Sequence, residues 1–316
     1  MVSIEQGAWS AGTDSSMYEQ LFERNLGIFD PEEQRRIRDA RVVIVGCGGI
    51  GGVVAIALAR SGLGHFVLYD HDIYQPSNIN RQITCFADTL GENKAVTTRE
   101  AILKINPGAE VEVCPEALRP DEIGVAIQQG DVFMPAADDW ALSIAALGKA
   151  KEMGKPAIMA YPVGALARVS TFLPDSPYAA ECLFMPYKAS YDGLKAFMDN
   201  PDNRRILHYY RSEGAWTQGW FEGWCEGKRQ HAQLCVTVWI TGALAAMEIL
   251  KLVSGKWEVV AAPRYWHITP TSARIKKFGL ARRLLSRQVR RPWGQALLPA
   301  LARRPRLVRM FTRLIS

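Results

Sequence analysis

The sequence predicts an α/β fold: a mostly parallel central sheet with helices on both faces, and some antiparallel strands towards the C-terminus. Three observations predict it. Strand-like and helix-like segments alternate from Arg41 to about residue 160, which is the rhythm of βαβ units. Residues 42–59 (VVIVGCGGIGGVVAIALA) carry no charge but place five glycines where a buried strand must turn tightly into a helix, so they do not read as a membrane span. Residues 165–173 (ALARVSTFL) then read as a strand that leaves the parallel order.

Residues 14–40 read as a polar helical segment, with Asp30 as N-cap, Pro31 as the first helical residue and Glu32 and Glu33 in the first turn. A strand at 42–45, a helix from Gly49 to Ser61, a strand at 65–70, a helix at 92–105 closed by Asn106-Pro107-Gly108 and a strand at 110–114 follow. The sheet continues through a strand at 131–134, a helix from Asp139 to Met153 and a strand at 156–160. Residues 183–230 break the rhythm. They are rich in aromatics, with Trp216, Trp220 and Trp224 spaced by four, and read as an insert facing the substrate. That stripe suits either a peptide groove or a helix face packed on the body. An apolar helix at 233–253, ended by Ser254-Gly255, and strands at 257–262 and 264–275 complete the body. The resulting organisation is a helical segment (1–40), a nucleotide-binding unit (41–182), the aromatic insert (183–230), a closing part of the same domain (231–278) and a tail (279–316).

A length of 316 residues suits one large α/β domain or one domain with an insert. With 48% apolar and 22% charged residues, the chain is not disordered, collagenous or fibrous. Six cysteines are scattered without a CxxC pair, and Met1 to Gly12 lacks a signal-peptide pattern. Both features predict reduced thiols and a cytoplasmic protein. The net charge of +6 hides an asymmetry: residues 276–316 hold 12 of the 38 Lys and Arg and no Asp or Glu, leaving 26 basic against 32 acidic residues before them. The tail mixes Arg with Leu, Val, Trp293 and Phe311 and is broken by Pro292, Pro299 and Pro305. Residues 280–316 therefore predict contact with a membrane surface or with an acidic peptide or partner, plain disorder being the third reading. The body lacks the basic and aromatic interleaving of nucleic-acid binders, so no nucleic acid is expected.

Gly46-Cys47-Gly48-Gly49-Ile50-Gly51 follows a buried strand and opens a helix, which sets backbone N–H groups against a phosphate. Asp70 ends the next strand, 19 residues after Gly51, where a carboxylate can accept from ribose hydroxyls. Together they indicate a nucleotide without saying which, and alone they favour NAD. The stretch Ser77-Asn78-Ile79-Asn80-Arg81-Gln82, with Lys94 soon after, adds a guanidinium and an ammonium that a triphosphate needs and a dinucleotide does not. Asp138-Asp139 follows the 131–134 strand, at the carboxyl end of the sheet, where a carboxylate can hold Mg²⁺ against phosphates.

In this order and spacing the chain resembles the ThiF/MoeB/HesA superfamily, the bacterial relatives of ubiquitin-activating E1 enzymes. The motifs are GxGGxG at Gly46 to Gly51, the ribose Asp70, SNxxRQ at Ser77 to Gln82, GxxKA at Gly91 to Ala95 and [TA]D[ND] at Asp138. The resemblance covers about 20–175 well and 233–275 loosely. It implies a Rossmann-like adenylation fold that binds ATP and Mg²⁺, with a substrate carboxylate attacking the α-phosphate to give an acyl-adenylate and pyrophosphate. It further implies that Gly46, Gly48, Gly49, Gly51, Asp70, Ser77, Asn78, Arg81, Gln82, Lys94, Asp138 and Asp139 hold the nucleotide. Arg81 and Lys94 would neutralise phosphate charge, Asn78 would orient phosphate or metal, and Asp138 would coordinate Mg²⁺. Arg24 aligns with the family's N-terminal arginine, which reaches the partner subunit's ATP, and so implies a homodimer.

The chain departs from the family where two CxxC pairs normally hold zinc. Ala179 stands in place of the first cysteine, Cys182 in place of the second, and no cysteine follows Cys235, so no structural zinc is expected. Cys182 is either an acyl-accepting thiol or, the favoured reading, a buried packing residue. His65, His71, His208, His231 and His267 form no ligand spacing. The expected substrate is a peptide in ribosomal natural-product maturation of the microcin C7 or pantocin type. A ubiquitin-like sulfur carrier and a tRNA-linked carboxylate, as in the cyclic threonylcarbamoyladenosine dehydratase, are the alternatives. An NAD(P)-dependent oxidoreductase would leave Arg81, Lys94 and Asp138 without a task. A non-catalytic partner subunit would be expected to lose some of Arg24, Arg81, Lys94 and Asp138, and all four are present.

Overall fold

The structure, a computed structural model, describes residues 15–203 and 216–280. The basic tail from residue 281 onwards and His208 lie outside the described residues. The N-terminal segment forms α1 (Ser15–Phe22), a 3-10 turn (Glu23–Asn25) and α2 (Pro31–Asp39). Asp30 caps α2 as its side chain accepts from the Glu33 amide, while the Glu33 carboxylate accepts from the Asp30 amide. These reciprocal bonds satisfy two of the donors that a helix start leaves open.

The alternating stretch gives β1 (Arg41–Val45), α3 (Gly49–Arg60), β2 (His65–Tyr69), α4 (Lys94–Ile105), β3 (Glu110–Cys114), α5 (Ile123–Gln128), β4 (Val132–Pro135), α6 (Trp140–Glu152) and β5 (Ala157–Val163). β6 (Leu166–Phe172) turns back on β5, then come α7 (Ala179–Cys182), α8 (Tyr191–Asp199), a helix at Gln218–Cys225 and a long helix at Cys235–Ser254. β7 (Arg264–Thr269) and β8 (Ser272–Lys277) end the described chain as a hairpin. The strands form one eight-stranded sheet in the order β3-β2-β1-β4-β5-β6-β7-β8, with parallel pairing from β3 to β5 and antiparallel pairing from β5 to β8. The predicted mixed sheet is therefore present, with the change of direction at 166–172.

Each face of the sheet has its own apolar core. Leu142, Leu147, Leu183 and Leu194 help cover one face; Ile37, Val54, Leu58 and Ile249 help cover the other. The long helix is the one described helix long and apolar enough to cross a membrane, and half of its apolar window is buried. It packs on α3, β5 and β6, and a Cβ at Gly242 would stand 2.6 Å from Val53, so the two helices touch backbone to side chain. Arg36 ties α2 to its end by donating twice to the Ser254 carbonyl, at 2.9 and 2.6 Å. Gly255 then adopts φ +72 and stops it, as Ser254-Gly255 predicts.

Two expectations are corrected. Residues 257–262 are not a strand. The Val260 amide donates to buried Glu248 at 2.7 Å, so this segment crosses β6 with a single bridge, Thr171 to Ala261, instead of extending a ladder. The expected strand at 264–275 is the β7–β8 hairpin, and α5 was not anticipated. The tryptophan stripe also divides. The helix begins at Gln218, so Trp216 precedes it and is buried against Trp224 and His231 at ring-centre distances of 5.6 and 4.6 Å. Trp220 and Trp224 instead face the cleft described next.

Candidate active site

The sheet order reverses at β1, whose neighbours are β2 on one side and β4 on the other. Loops leaving the carboxyl ends of such strands diverge and open a crevice. Here that crevice is a cleft of about 1620 Å³ lined by Gly46, Gly48, Gly49, Asp70, Ser77, Asn78, Arg81, Gln82, Lys94, Asp138 and Asp139. Eleven of the thirteen predicted site residues thus meet in one place. Gly51 and Arg24 do not line it.

The glycine loop is shaped by contact. Gly46 has φ +97, and a Cβ there would lie 2.7 Å from the Ala137 nitrogen, so the loop passes directly over the end of β4. Gly51 lies in the first turn of α3, where a Cβ would collide with the Gly46 carbonyl. Its role is to seat the helix under the loop. No side chain caps the start of α3, which leaves amides and the positive end of the helix dipole for an anion.

Asp70 braces this loop. Oδ2 accepts from the Cys47 amide at 2.7 Å and Oδ1 from the Asp72 amide at 2.9 Å. Burial raises its pKa, with those amides and Lys94 pulling the other way. Cys47 is fully buried beneath it. Burial first, then the Asp70 charge, pushes the thiol well up, so it is packing and not a nucleophile.

Arg81 and Gln82 sit opposite. The Arg81 Nη1 donates to the carbonyl of Ser77 and to Asn80 Oδ1, both at 2.9 Å. Its Nε and the Gln82 Oε1 are buried with no hydrogen-bond partner among the described residues. Burial lowers the Arg81 pKa while the charge of Asp138 raises it, which puts Asp138 within electrostatic reach. Lys94 opens α4 with its side chain almost wholly buried, and Nζ donates to Asp72 Oδ2 at 2.9 Å. Asp138 follows β4 exposed to the cleft. A guanidinium, an ammonium, an open helix start and a nearby carboxylate fit a metal-bound polyphosphate, and the orphaned atoms of Arg81 and Gln82 fit a polar ligand.

Three of the expected residues also make structural contacts. The carboxylate of Asp139 is already engaged: Oδ1 caps α6 through the Leu142 amide at 3.0 Å, and Oδ2 accepts from the Tyr191 hydroxyl at 2.9 Å. These two bonds tie it to the scaffold, whereas Asp138 is exposed to the cleft. Asn78 accepts from the Gln75 amide at 3.1 Å, which braces its own turn at the edge of the cleft. Ser77 contributes its carbonyl to Arg81. Arg24 is exposed in the 3-10 turn, away from the cleft of its own chain. Cys182 is fully buried in the core and does not line the cleft, in keeping with a packing role. The one cluster of three potential metal ligands among the described residues is Asp70, His71 and Asp72, with no cysteine in it. Asp72 was missed in the sequence, although its place two residues after Asp70 was a usable signal.

The ThiF family model matches residues 22–286. Protein HesA of Leptolyngbya boryana is 30% identical over 164 residues, covering 52% of this chain and 59% of its own length. The probable adenylyltransferase/sulfurtransferase MoeZ of Mycobacterium tuberculosis is 29% identical over 153 residues, covering 48% and 38%. The chain thus spans well under two thirds of these curated relatives. Among solved structures, E. coli MccB with ATP superimposes with a TM-score of 0.61 at 21% identity, covering 78% of this chain and 65% of MccB. MccB has also been solved in complex with N-formylated MccA. At that identity the likeness shows a shared fold.

Proposed function

The chain belongs to the ThiF family, and from that premise we propose that it is an E1-like adenylyltransferase, using ATP to activate a carboxylate of a peptide as an acyl-adenylate. The observation that carries this reading is the convergence of Arg81, Lys94 and Asp138 on the glycine-loop cleft, since a nicotinamide dinucleotide needs none of the three. A carboxylate acylates poorly because its leaving group is an oxide. Attack of its oxygen on the α-phosphate breaks the bond to pyrophosphate, which departs with the electron pair, and AMP becomes the leaving group for the next step.

The residues divide this work. Asp70 accepts from the ribose hydroxyls with its remaining lone pairs, and the amides at the start of α3 receive phosphate oxygens. Arg81, held by Ser77 and Asn80, and Lys94, held by Asp72, offset the charge that develops on the departing pyrophosphate. Asp138 would hold Mg²⁺, which when bound neutralises phosphate oxygens and polarises phosphorus.

We propose a homodimer in which Arg24 completes the partner's site. Exposed Val236, Trp239, Ile240 and Met247 on the long helix support this, as they give an apolar face for a second subunit. A cytoplasmic location is supported by all six cysteines being free. Contact of the 280–316 segment with a membrane or an acidic partner is proposed on composition alone. Peptide substrates are favoured over a sulfur carrier by the fold shared with MccB, whereas MoeZ gives the carrier its support.

The test is ATP–pyrophosphate exchange with Mg²⁺, run against peptides encoded beside this gene and against small proteins ending in Gly-Gly. Exchange that depends on one peptide supports the reading. NAD binding without ATP binding would overturn it.

A further inference from the structure

Beyond the nucleotide half, the same cleft runs on between α8, the Gln218–Cys225 helix and residues 227–233. Its lining there includes Lys195, Trp220, Trp224, Lys228 and Arg229. The lysines are already matched: Lys228 pairs with Glu226 at 2.9 Å and Lys195 with Asp199 at 3.8 Å. Arg229 differs. Among the described residues no carboxylate pairs with it, and its guanidinium carbon lies 5.0 Å from the centre of the Trp220 ring.

This position is built by the backbone. Gly227 adopts φ +74 and turns the chain at the end of the helix. The Arg229 amide donates to the Gly223 carbonyl at 3.1 Å, and the Trp220 indole donates to the Gln230 carbonyl at 3.0 Å. A Cβ at Gly223 would stand 2.8 Å from Arg229 Cγ, so the bare glycine makes room for the arginine stem to fold back over the helix. A guanidinium stacked on an aromatic face keeps its N–H edge free for a carboxylate, and the planar fork suits two parallel hydrogen bonds.

Resting on the adenylation reading above, we propose that Arg229 recognises a second carboxylate of the acyl substrate, so that the substrate is an acidic peptide with one acid near Arg229 while another is activated. The two halves of one cleft divide the two acids: the reacting one meets the Arg81, Lys94 and Asp138 end, and the recognised one meets Arg229 beside Trp220.

The probe is fluorescein-labelled hexaglutamate, followed by anisotropy with the full chain, with labelled hexaglutamine as control. Hexaglutamate is expected to bind, and Arg229→Gln to weaken it about fivefold or more. Gly223→Ala, which keeps the charge but displaces its stem, is expected to weaken it too, whereas Lys277→Gln, on exposed β8, leaves it unchanged. The basic tail is intact in every variant, so its own affinity for the probe cancels in the comparison. Equal affinity of wild type and Arg229→Gln, no binding by wild type, or equally tight hexaglutamine would overturn the proposal. ATP binding is measured separately by calorimetry. Its absence in the wild type would overturn the adenylation reading and leave the hexaglutamate comparison intact.

Discussion

The Tyr191 hydroxyl donates to Asp139 Oδ2 at 2.9 Å, joining α8 to the residue that caps α6. On the adenylation reading the neighbouring carboxylates have separate tasks. Asp138→Ala is expected to abolish pyrophosphate exchange with an unchanged melting curve. Asp139→Ala is expected to cost about 1 to 2 kcal/mol of stability through the lost cap and to loosen α8. Exchange assays and thermal melts on both variants check this; exchange surviving in Asp138→Ala would remove it from the metal position.

Lys94 lines the cleft with its ammonium held by Asp72 Oδ2 at 2.9 Å. Lys94→Ala is expected to lower exchange about 10²-fold or more, because a fixed charge aimed at the departing pyrophosphate is lost. Asp72→Asn keeps the ammonium but releases it, and is expected to give a smaller loss. Steady-state rates for the two variants decide the order, and a wild-type rate in Asp72→Asn would show that the ion pair positions nothing.

Burial raises the pKa of Asp70, so two pH dependences run in opposite directions. Ribose recognition needs the ionised carboxylate, and nucleotide affinity is expected to fall on acidification from a higher pH than an ordinary aspartate would give. For stability the sign reverses. The folded chain holds this proton more tightly than the unfolded chain, so the Asp70 contribution is full below the unfolded pKa and is lost as pH rises through the folded value. ATP titrations and melts across pH 4 to 7, wild type against Asp70→Asn, separate the two.

Arg24 lies away from its own cleft, so the homodimer makes a mixing prediction. Arg24→Ala and Asp138→Ala are each expected to be inactive. Mixed and re-equilibrated, they are expected to recover about a quarter of wild-type exchange, since half the dimers are hybrid and each hybrid has one intact site. No recovery, with hybrids confirmed by native mass spectrometry, would place Arg24 outside the reaction.

Cys182 is buried in α7. Cys182→Ala is expected to keep full exchange and to cost about 1 kcal/mol in a melt. Loss of exchange in a folded variant would make the thiol an acyl acceptor.

The nucleotide half was legible in sequence because backbone geometry leaves it few choices. A strand that must clear a phosphate turns on glycine at Gly46, and a charged cleft needs Arg81 and Lys94 at fixed offsets from it. The structural bonds of Asp139 were not legible, because a carboxylate that caps a helix and one that faces a nucleotide look alike in sequence; the Leu142 amide and the Tyr191 hydroxyl show the cap. The substrate half was not legible. Arg229 has no periodicity or motif, and its place depends on the bare Gly223, six residues earlier in the chain. Residues 257–262 read as a strand from their composition, but the buried carboxylate of Glu248 claims the Val260 amide.

The fit of Gly242 against Val53 also sets an order of events during synthesis. α3 is made early, yet its apolar face is covered by a helix that leaves the ribosome only after residue 254. Until then the nascent nucleotide-binding half carries an exposed greasy flank, a target for chaperones and a risk for self-association. Slow translation through the aromatic insert would prolong that interval, and a stalled chain ending before residue 235 would be the form most prone to aggregate.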